Sequence, residues 1–243
     1  MTQTDANAGS ALFARYAYPP NELGYCGPPD AGAAAAAHAA SVPDVGASAW
    51  ARGFDGAWPY LEAIASAIGA ADPLRSDVVD AYWVGGSLLR AVDSEGLLRA
   101  LRRAFAHQAG TLLGDVDEAL AHHSFHVCAA YPWARLLEKG PVALSVLQNC
   151  RIRWGTVVAV DSSSATVVSR PLEFRGVLTL GPPAEERVRW RTEHHQLAVP
   201  PRSGDVFSIH WDWMCERLST AQVESLHACT EQTLRIVNRV LAR

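Results

Sequence analysis

The sequence predicts an α+β fold, in which a mostly helical N-terminal lobe and a C-terminal helix flank a small antiparallel β domain of the OB or SH3 barrel kind. Up to about residue 149, apolar residues recur at intervals of three and four, as on one face of a helix. From Cys150 onward they alternate in short Val- and Thr-rich runs, as in half-buried strands. We therefore expect one domain from residues 1–149 with 219–242, and a second from residues 150–215.

Composition and charge exclude several classes of protein. Of 243 residues, 49% are hydrophobic and 19% are charged, which is typical of a globular protein. No apolar run approaches the roughly 18 residues of a membrane span, and the first residues do not resemble a secretory signal. The net charge is −4 and the basic residues are scattered, unlike those of a nucleic-acid-binding protein. We expect a cytoplasmic protein that binds neither nucleic acid nor membranes.

The N-terminal region is predicted to be irregular. Residues 1–11 are small and polar and should be frayed. From Leu12 to Asp30, aromatic residues alternate with prolines and glycines, a pattern that favours a compact loop packed on the core. This loop would hold Cys26 on a rigid turn. The alanine-rich run from Ala31 to Ala40 has high helix propensity and predicts a short helix.

Three amphipathic helices should follow. The first covers Ala57 to Ala70, and the second opens at Asp72, which is a good N-cap. Gly85 and Gly86 interrupt the second helix, which indicates that another backbone or a bound group packs closely there. The third runs from about Ser94 to Gln108, with leucines inward and arginines outward.

A histidine pair is the first candidate for chemistry. A helix beginning near Asp115 would carry Glu118, His122 and His126 at successive i, i+4 positions, and therefore on one stripe. Two histidines at this spacing can hold one metal ion, with Glu118 as a third ligand or as an acceptor for a ring N–H. The same histidines can also be ordinary core residues.

The β domain should contain five or six short strands and be followed by a long helix. Ser219 and Gln222 form a capping box, which predicts the start of that last helix. The strands are expected in the runs RIRWGTVVAV, ATVVSRPLEF, GVLTL, RVRWR, HHQLAV and GDVFSIHW.

The cysteines predict free thiols. They are odd in number and lack paired spacing, so in a reducing compartment no disulfide is expected. Each can be a ligand or a nucleophile, although a small buried thiol in the core is the commoner role. They are Cys26, Cys128, Cys150, Cys215 and Cys229.

Two resemblances extend this interpretation. The strings FARYAYPPNELGYCGP, HHSFHVCAAYPW, LQNCRIRWG and IHWDW resemble signature blocks of an actinobacterial family associated with nickel–iron hydrogenase gene neighbourhoods. The segment CRIRWGTVVAVDSSSATV, from Cys150 to Val167, is similar to the opening of the small hydrogenase-maturation chaperones. Those chaperones use that cysteine to hold an iron fragment, which implies a comparable role for Cys150. Their cysteine is N-terminal, whereas Cys150 is internal.

The resulting site hypothesis is a transition-metal centre held by His122, His126 and Cys150, with iron or another transition metal as the ion and haem as an alternative. Arg151 and Arg153 either lower the pKa of Cys150 or point outward into water. Four tryptophans are expected to form the apolar walls of the site: Trp133, Trp154, Trp211 and Trp213. Further candidate residues are Cys26, Glu118, His123, Arg151, Arg153, His210 and Asp212.

Three functions are compatible with such a site. The first is an accessory protein of metalloenzyme maturation, which requires a protein partner. The second is a metal- or haem-dependent enzyme that acts on a small molecule in a cleft between the two lobes. In both, His122, His126 and Cys150 face one cavity with Cys26 near its rim. The third is a binding module without metal, in which the histidines are core residues.

Overall fold

The computed structural model describes residues 3–29 and 47–243, and it confirms the predicted fold class: helices precede a small β-barrel, and a long helix follows it. The expected helix from Ala31 to Ala40 lies outside the described residues. The helices are α1 (Gln3–Glu22), α2 (Ala47–Arg52), α3 (Trp58–Ala67), α4 (Ser76–Trp83), α5 (Ser94–Ala104), α6 (His123–Phe125), α7 (Pro141–Cys150) and α8 (Thr220–Leu241). Shorter helical segments are a 3₁₀ turn at Ser87–Ala91, a π turn at His126–Ala130 and a 3₁₀ helix at Pro132–Lys139.

Within residues 3–29 and 47–243, five of seven strands close the barrel in the order β1-β2-β5-β7-β6, and β3 with β4 forms a separate hairpin. The pairings are antiparallel except for a parallel contact between β5 and β7, which closes the barrel. The strands are β1 (Arg153–Val160), β2 (Ser164–Ser169), β3 (Leu172–Phe174), β4 (Leu178–Leu180), β5 (Ala184–Arg189), β6 (Val206–His210) and β7 (Trp213–Arg217).

One predicted strand is absent, and one observed strand was not predicted. The run HHQLAV, residues 194–199, forms no strand and takes part in one isolated bridge between Arg191 and Gln196. The run WMCER, which the sequence pattern did not single out, forms β7. Its residues Trp213, Met214 and Cys215 are all buried, so it lacks the alternation by which a strand is recognised.

The expected frayed terminus and the first part of the expected proline-rich loop are also wrong, because α1 runs from Gln3 to Glu22 and includes Pro19 and Pro20. The expected turn at Cys26 is present, since residues 23–27 form turns and bends after the helix. Its side chains Phe13, Tyr16 and Tyr18 are buried. Burial of such large rings stabilises the helix by about 2–3 kcal/mol each, which offsets prolines confined to its last turns. The helix thereby brings the backbone of Tyr16 against the end of β6.

Two of the three middle helices follow the prediction closely, whereas the second begins at Ser76 with Arg75 as its N-cap and not at Asp72. α3 and α5 lie within their predicted ranges, and Leu97, Leu98 and Leu101 are buried as expected. Gly85 has φ +101°, and a Cβ there would lie 2.6 Å from the Cys229 sulfur of α8. The glycine therefore permits the close approach of α8.

The capping box of Ser219 and Gln222 is present at the start of α8, as predicted. One large apolar core joins the helices to the β3–β4 hairpin, and a smaller core fills the barrel. Within the described residues, none of the helices has the length and apolar character that crossing a membrane requires.

Candidate metal centre

Three side chains converge where α6, α7 and β6 meet. One nitrogen from each of His123 and His210 and the Cys150 sulfur lie within 4.8 Å of one another. His123 begins α6, Cys150 ends α7 and His210 ends β6. Two imidazoles and a thiolate are ligands that transition metals prefer. Around a tetrahedral ion such atoms stand about 3.3–3.6 Å apart, so a bound ion would draw them together by up to about 1.5 Å. The group can hold a metal ion.

His210 is oriented as a ligand by the backbone of α1. Its Nδ1 lies 2.7 Å from the Tyr16 carbonyl oxygen, which can only accept, so Nδ1 carries the proton. Its Nε2 therefore presents a lone pair, and this buried atom makes no well-aligned hydrogen bond among the described residues, although the Cys150 backbone lies beside it. Burial lowers the pKa of His210 to about 3, which keeps the ring neutral. A neutral, oriented imidazole is the form that binds metals.

His123 lies between a tyrosine and a backbone carbonyl. Its Nδ1 is 3.0 Å from the Tyr82 hydroxyl, which lies 3.2 Å from the Gly56 carbonyl, and its Nε2 is 3.0 Å from the Cys150 carbonyl. Because a carbonyl can only accept, Nε2 carries the proton and donates it to Cys150. A metal on Nε2 would displace this hydrogen bond and move the proton to Nδ1, where Tyr82 can accept it while donating to Gly56. Burial, followed by the neighbouring His210, lowers the pKa of His123.

Cys150 is the third member of the cluster. Burial, and then the proximity of Cys26, raises the pKa of its thiol well above the usual range, while the nearby Trp211 indole opposes this. Trp211 has φ +53°, an uncommon conformation for a bulky residue and one that concentrates at functional sites. Since the unbound thiol is neutral, binding a metal would release its proton.

A cavity of about 280 Å³ lies beside the cluster. It is lined mainly by apolar and aromatic groups, including Trp83 and Trp133, and both His123 and Cys150 face it. Cys26 also lines it and is bonded to the Tyr131 hydroxyl; burial raises the pKa of the Cys26 thiol to about 11. All of the lining residues precede β1, so the barrel does not form a wall of the cavity. The barrel contributes only His210, which belongs to the adjacent cluster.

The predicted stripe of Glu118, His122 and His126 is wrong, because residues 105–122 form turns and loops instead of a helix. Glu118 lies at the surface in an ion pair with Arg239. His122 is the N-cap of α6, where its Nδ1 accepts from the Ser124 N–H at 3.1 Å. It does not line the cavity.

His126 does line the cavity, but it stands apart from the cluster. It begins the π turn, its Nδ1 is 3.1 Å from the Tyr60 hydroxyl, and its ring centroid is 6.3 Å from that of His123. Burial lowers its pKa to about 3.

Both expectations for the arginines beside Cys150 are wrong. Arg151 and Arg153 are each only 2% exposed, so neither points into water. Arg153 pairs with Glu186 at 2.7 Å, and Arg151 donates to Gln148 and to the Arg170 carbonyl. Neither lowers the pKa of the Cys150 thiol.

Other candidates also lie elsewhere. Asp212 forms a surface ion pair with Arg189, away from the cluster. Trp213 packs with Tyr18, and Trp154 contacts His227, so neither walls the cavity.

Sequence reasoning did not identify the groups that orient the ligands. Tyr16 contributes through its carbonyl, which has no sequence signature. Tyr82 sits inside an ordinary amphipathic helix. His123 differs from the predicted ligand His122 by one position, a distinction that required knowing where the helix begins.

Comparisons with known proteins add the family. No curated protein and no solved structure matches the chain. Residues 5–243 match the model of DUF6390, described as a family of unknown function. Because this match covers nearly the whole sequence, the chain belongs to the DUF6390 family.

Proposed function

We propose that the protein holds one transition-metal ion as a resident cofactor through His123, Cys150 and His210, and that this ion binds or transforms a small molecule in the adjacent cavity. The orientation of His210 carries the proposal. Its Nδ1–H donates to the Tyr16 carbonyl, and its buried Nε2 has no partner in the described part of the chain. An unpartnered buried nitrogen is costly, so a fold that keeps one is best explained by a ligand for it.

The ligand set favours some ions over others. A thiolate with two imidazoles suits zinc, iron, cobalt, nickel or copper, whereas magnesium and calcium prefer oxygen ligands. Three protein ligands leave a fourth position open, as in catalytic zinc sites. The cavity of about 280 Å³ lies at the lower limit of typical ligand pockets, roughly 300–1,000 Å³, and so favours a bare ion over haem.

An accessory role in metalloenzyme maturation is the second candidate. The observation that favours it is that Cys26 and Cys150 both line the cavity, where a second thiol could take over the ion. The buried imidazoles favour retention instead, because His210 is fully buried and a partner protein could not reach it without opening the fold.

Metal analysis of protein purified without oxygen tests the main proposal, followed by titration of the metal-free protein with Co²⁺. We expect one equivalent to bind with a thiolate-to-cobalt absorption band. Cys150→Ser should lose this band and weaken binding at least about 100-fold, since even outer groups at metal sites are worth 10- to 100-fold. Cys128→Ser is the matched control, because Cys128 is a buried free thiol outside the cluster.

Two outcomes would reject the proposal: no stoichiometric binding, or binding that Cys150→Ser leaves unchanged. The rate of cobalt loss to excess chelator separates the two candidates. A resident cofactor should be lost over hours, whereas a delivery protein should release the ion within seconds to minutes.

A further inference from the structure

His126 is a second buried imidazole with an unpartnered nitrogen on the cavity wall. Its side chain is 1% exposed, and its Nε2 has no hydrogen-bond partner among the described residues. Gly56 leaves room in front of this nitrogen, since a Cβ at that position would lie 2.7 Å from it. The ring begins a π turn, a distortion often found at functional sites.

The Tyr60 hydroxyl determines whether Nε2 of His126 carries the ring proton. The Tyr60 hydroxyl is buried, and His126 Nδ1, at 3.1 Å, is its hydrogen-bond partner within the described residues. If Tyr60 accepted from Nδ1, its own buried O–H would have no acceptor. Tyr60 therefore donates to Nδ1, and the proton of the neutral ring lies on Nε2. His126 presents an N–H donor to the cavity.

The surroundings leave this donor for a ligand. The nearby polar groups Cys26 and Tyr131 are hydrogen-bonded to each other. The His123 ring centroid lies 6.3 Å from that of His126, and His123, Cys150 and His126 line the same cavity. A ligand of the ion that occupies this cavity therefore comes within reach of His126. At about 30 Å³ per water-sized group, the cavity holds on the order of ten non-hydrogen atoms.

We infer that the cavity takes a small, largely apolar molecule that binds the metal ion through one end and accepts a hydrogen bond from His126 Nε2–H at the other. This inference rests on the proposed metal site and adds the class of ligand. His126 is then a ligand-binding residue and not a metal ligand.

The test compares two rings of the same shape, pyridine and pyrazine, as probes of the cobalt-loaded protein. Both bind a metal through one nitrogen, and pyrazine alone carries a second acceptor nitrogen opposite. The dissociation constant of each probe is measured from the cobalt absorption bands, in the wild-type protein and in His126→Phe. We expect the affinity of pyrazine relative to pyridine to be about 3- to 10-fold higher in the wild type than in His126→Phe, the range of one hydrogen bond.

Two further variants make the result interpretable. His227→Phe is the matched control, since His227 is a half-exposed histidine on α8 and does not line the cavity; its ratio should equal that of the wild type. If His126→Phe does not fold, His126→Leu replaces it. Because leucine also lacks the N–H donor, the pyrazine preference should again disappear.

The outcomes separate this inference from the proposed function. If cobalt does not bind to the wild type, both fail. If cobalt binds with the Cys150 absorption band but the probe ratio is the same in wild type and His126→Phe, or if neither ring binds, the metal site stands and the inference about His126 is overturned.

Discussion

Two groups of buried polar side chains are built differently. One is the ion pair of Arg153 and Glu186 with its neighbours in the barrel, and the other surrounds the metal-binding cluster of His123, Cys150 and His210. In the barrel, Arg153 donates to Glu186 and to the Trp211 carbonyl, and Ser169 donates to the same carboxylate. Arg151 and Arg153 each leave one guanidinium nitrogen without a partner among the described residues, while their other two nitrogens are hydrogen-bonded. The second group is the metal-binding cluster together with the neighbouring His126. In it, His210 and His126 each have one of their two ring nitrogens without a partner in the described part of the chain.

This difference teaches how to distinguish polar groups that hold a fold from groups that await a ligand. A buried ion pair loses much when either partner is removed, because a buried charge is left uncompensated. A neutral imidazole with an unpartnered nitrogen loses little when it is replaced by an apolar ring of similar shape. The first cluster should therefore affect stability, and the second should affect binding.

The largest expected effect is on the barrel. Glu186→Ala leaves the guanidinium of Arg153 buried without its carboxylate, so we expect a loss of about 2–4 kcal/mol in the free energy of unfolding. The lower end allows for the partial exposure of Glu186, whose side chain is 25% accessible. Urea unfolding measures the loss, and a change below about 1 kcal/mol would show that the pair does not hold the barrel.

Metal addition should stabilise the protein by a similar amount through the other cluster. At a free Zn²⁺ concentration of about 100 times the dissociation constant, the gain is about 2.7 kcal/mol for an ion that binds only the folded state. Thermal unfolding with and without Zn²⁺ measures it. Cys150→Ser should gain almost no stability from Zn²⁺, whereas Glu186→Ala should gain as much as the wild type. Equal gains in the wild type and Cys150→Ser would show that the second group does not bind the ion.

Acid should affect the barrel pair selectively. Burial alone would raise the pKa of the Glu186 carboxyl, but the hydrogen bonds and charge of Arg153 outweigh it, and the pKa lies below its usual range. The stability from this pair is therefore fully present above the unfolded pKa of about 4.3 and is lost as pH falls through the folded pKa. The stability difference between wild type and Glu186→Gln should shrink between pH 5 and the acid limit of folding. A difference that stays constant would exclude the ion pair as its source.

The smallest effect is expected on the cavity wall. The double variant Tyr60→Phe/His126→Phe removes a hydroxyl and an imidazole together, so no polar group is left unpaired. Its metal-free form should unfold within about 1 kcal/mol of the wild type. A loss above about 2 kcal/mol in urea unfolding would show that His126 is mainly a structural residue.

The sequence predicted the fold class because that signal is local. The change from helical spacing to alternation near Cys150 and the capping box at Ser219 depend only on neighbouring residues. α1 and β7 were not predicted because their packing overrides local preference: buried aromatic rings offset Pro19 and Pro20, and β7 is buried throughout.

The candidate site was predicted only in part, for a related physical reason. The metal cluster combines α6, α7 and β6, and no periodicity in one segment can show that His210 lies near His123. The choice of His122 over His123 depended on a helix that is absent between residues 105 and 122. Cys150 was singled out among the five cysteines because the segment that begins with it resembles the opening of the maturation chaperones.

X-ray absorption spectroscopy of the zinc-loaded protein tests the central claim most directly, because it reports the ligand atoms of the bound ion. For a site made by His123, Cys150 and His210 we expect one sulfur at about 2.3 Å and two imidazole nitrogens at about 2.0–2.1 Å, with a lighter atom in the open position. Cys150→Ser should remove the sulfur, and Cys128→Ser should not. A spectrum with only oxygen and nitrogen ligands, or with a sulfur that persists in Cys150→Ser, would contradict the account.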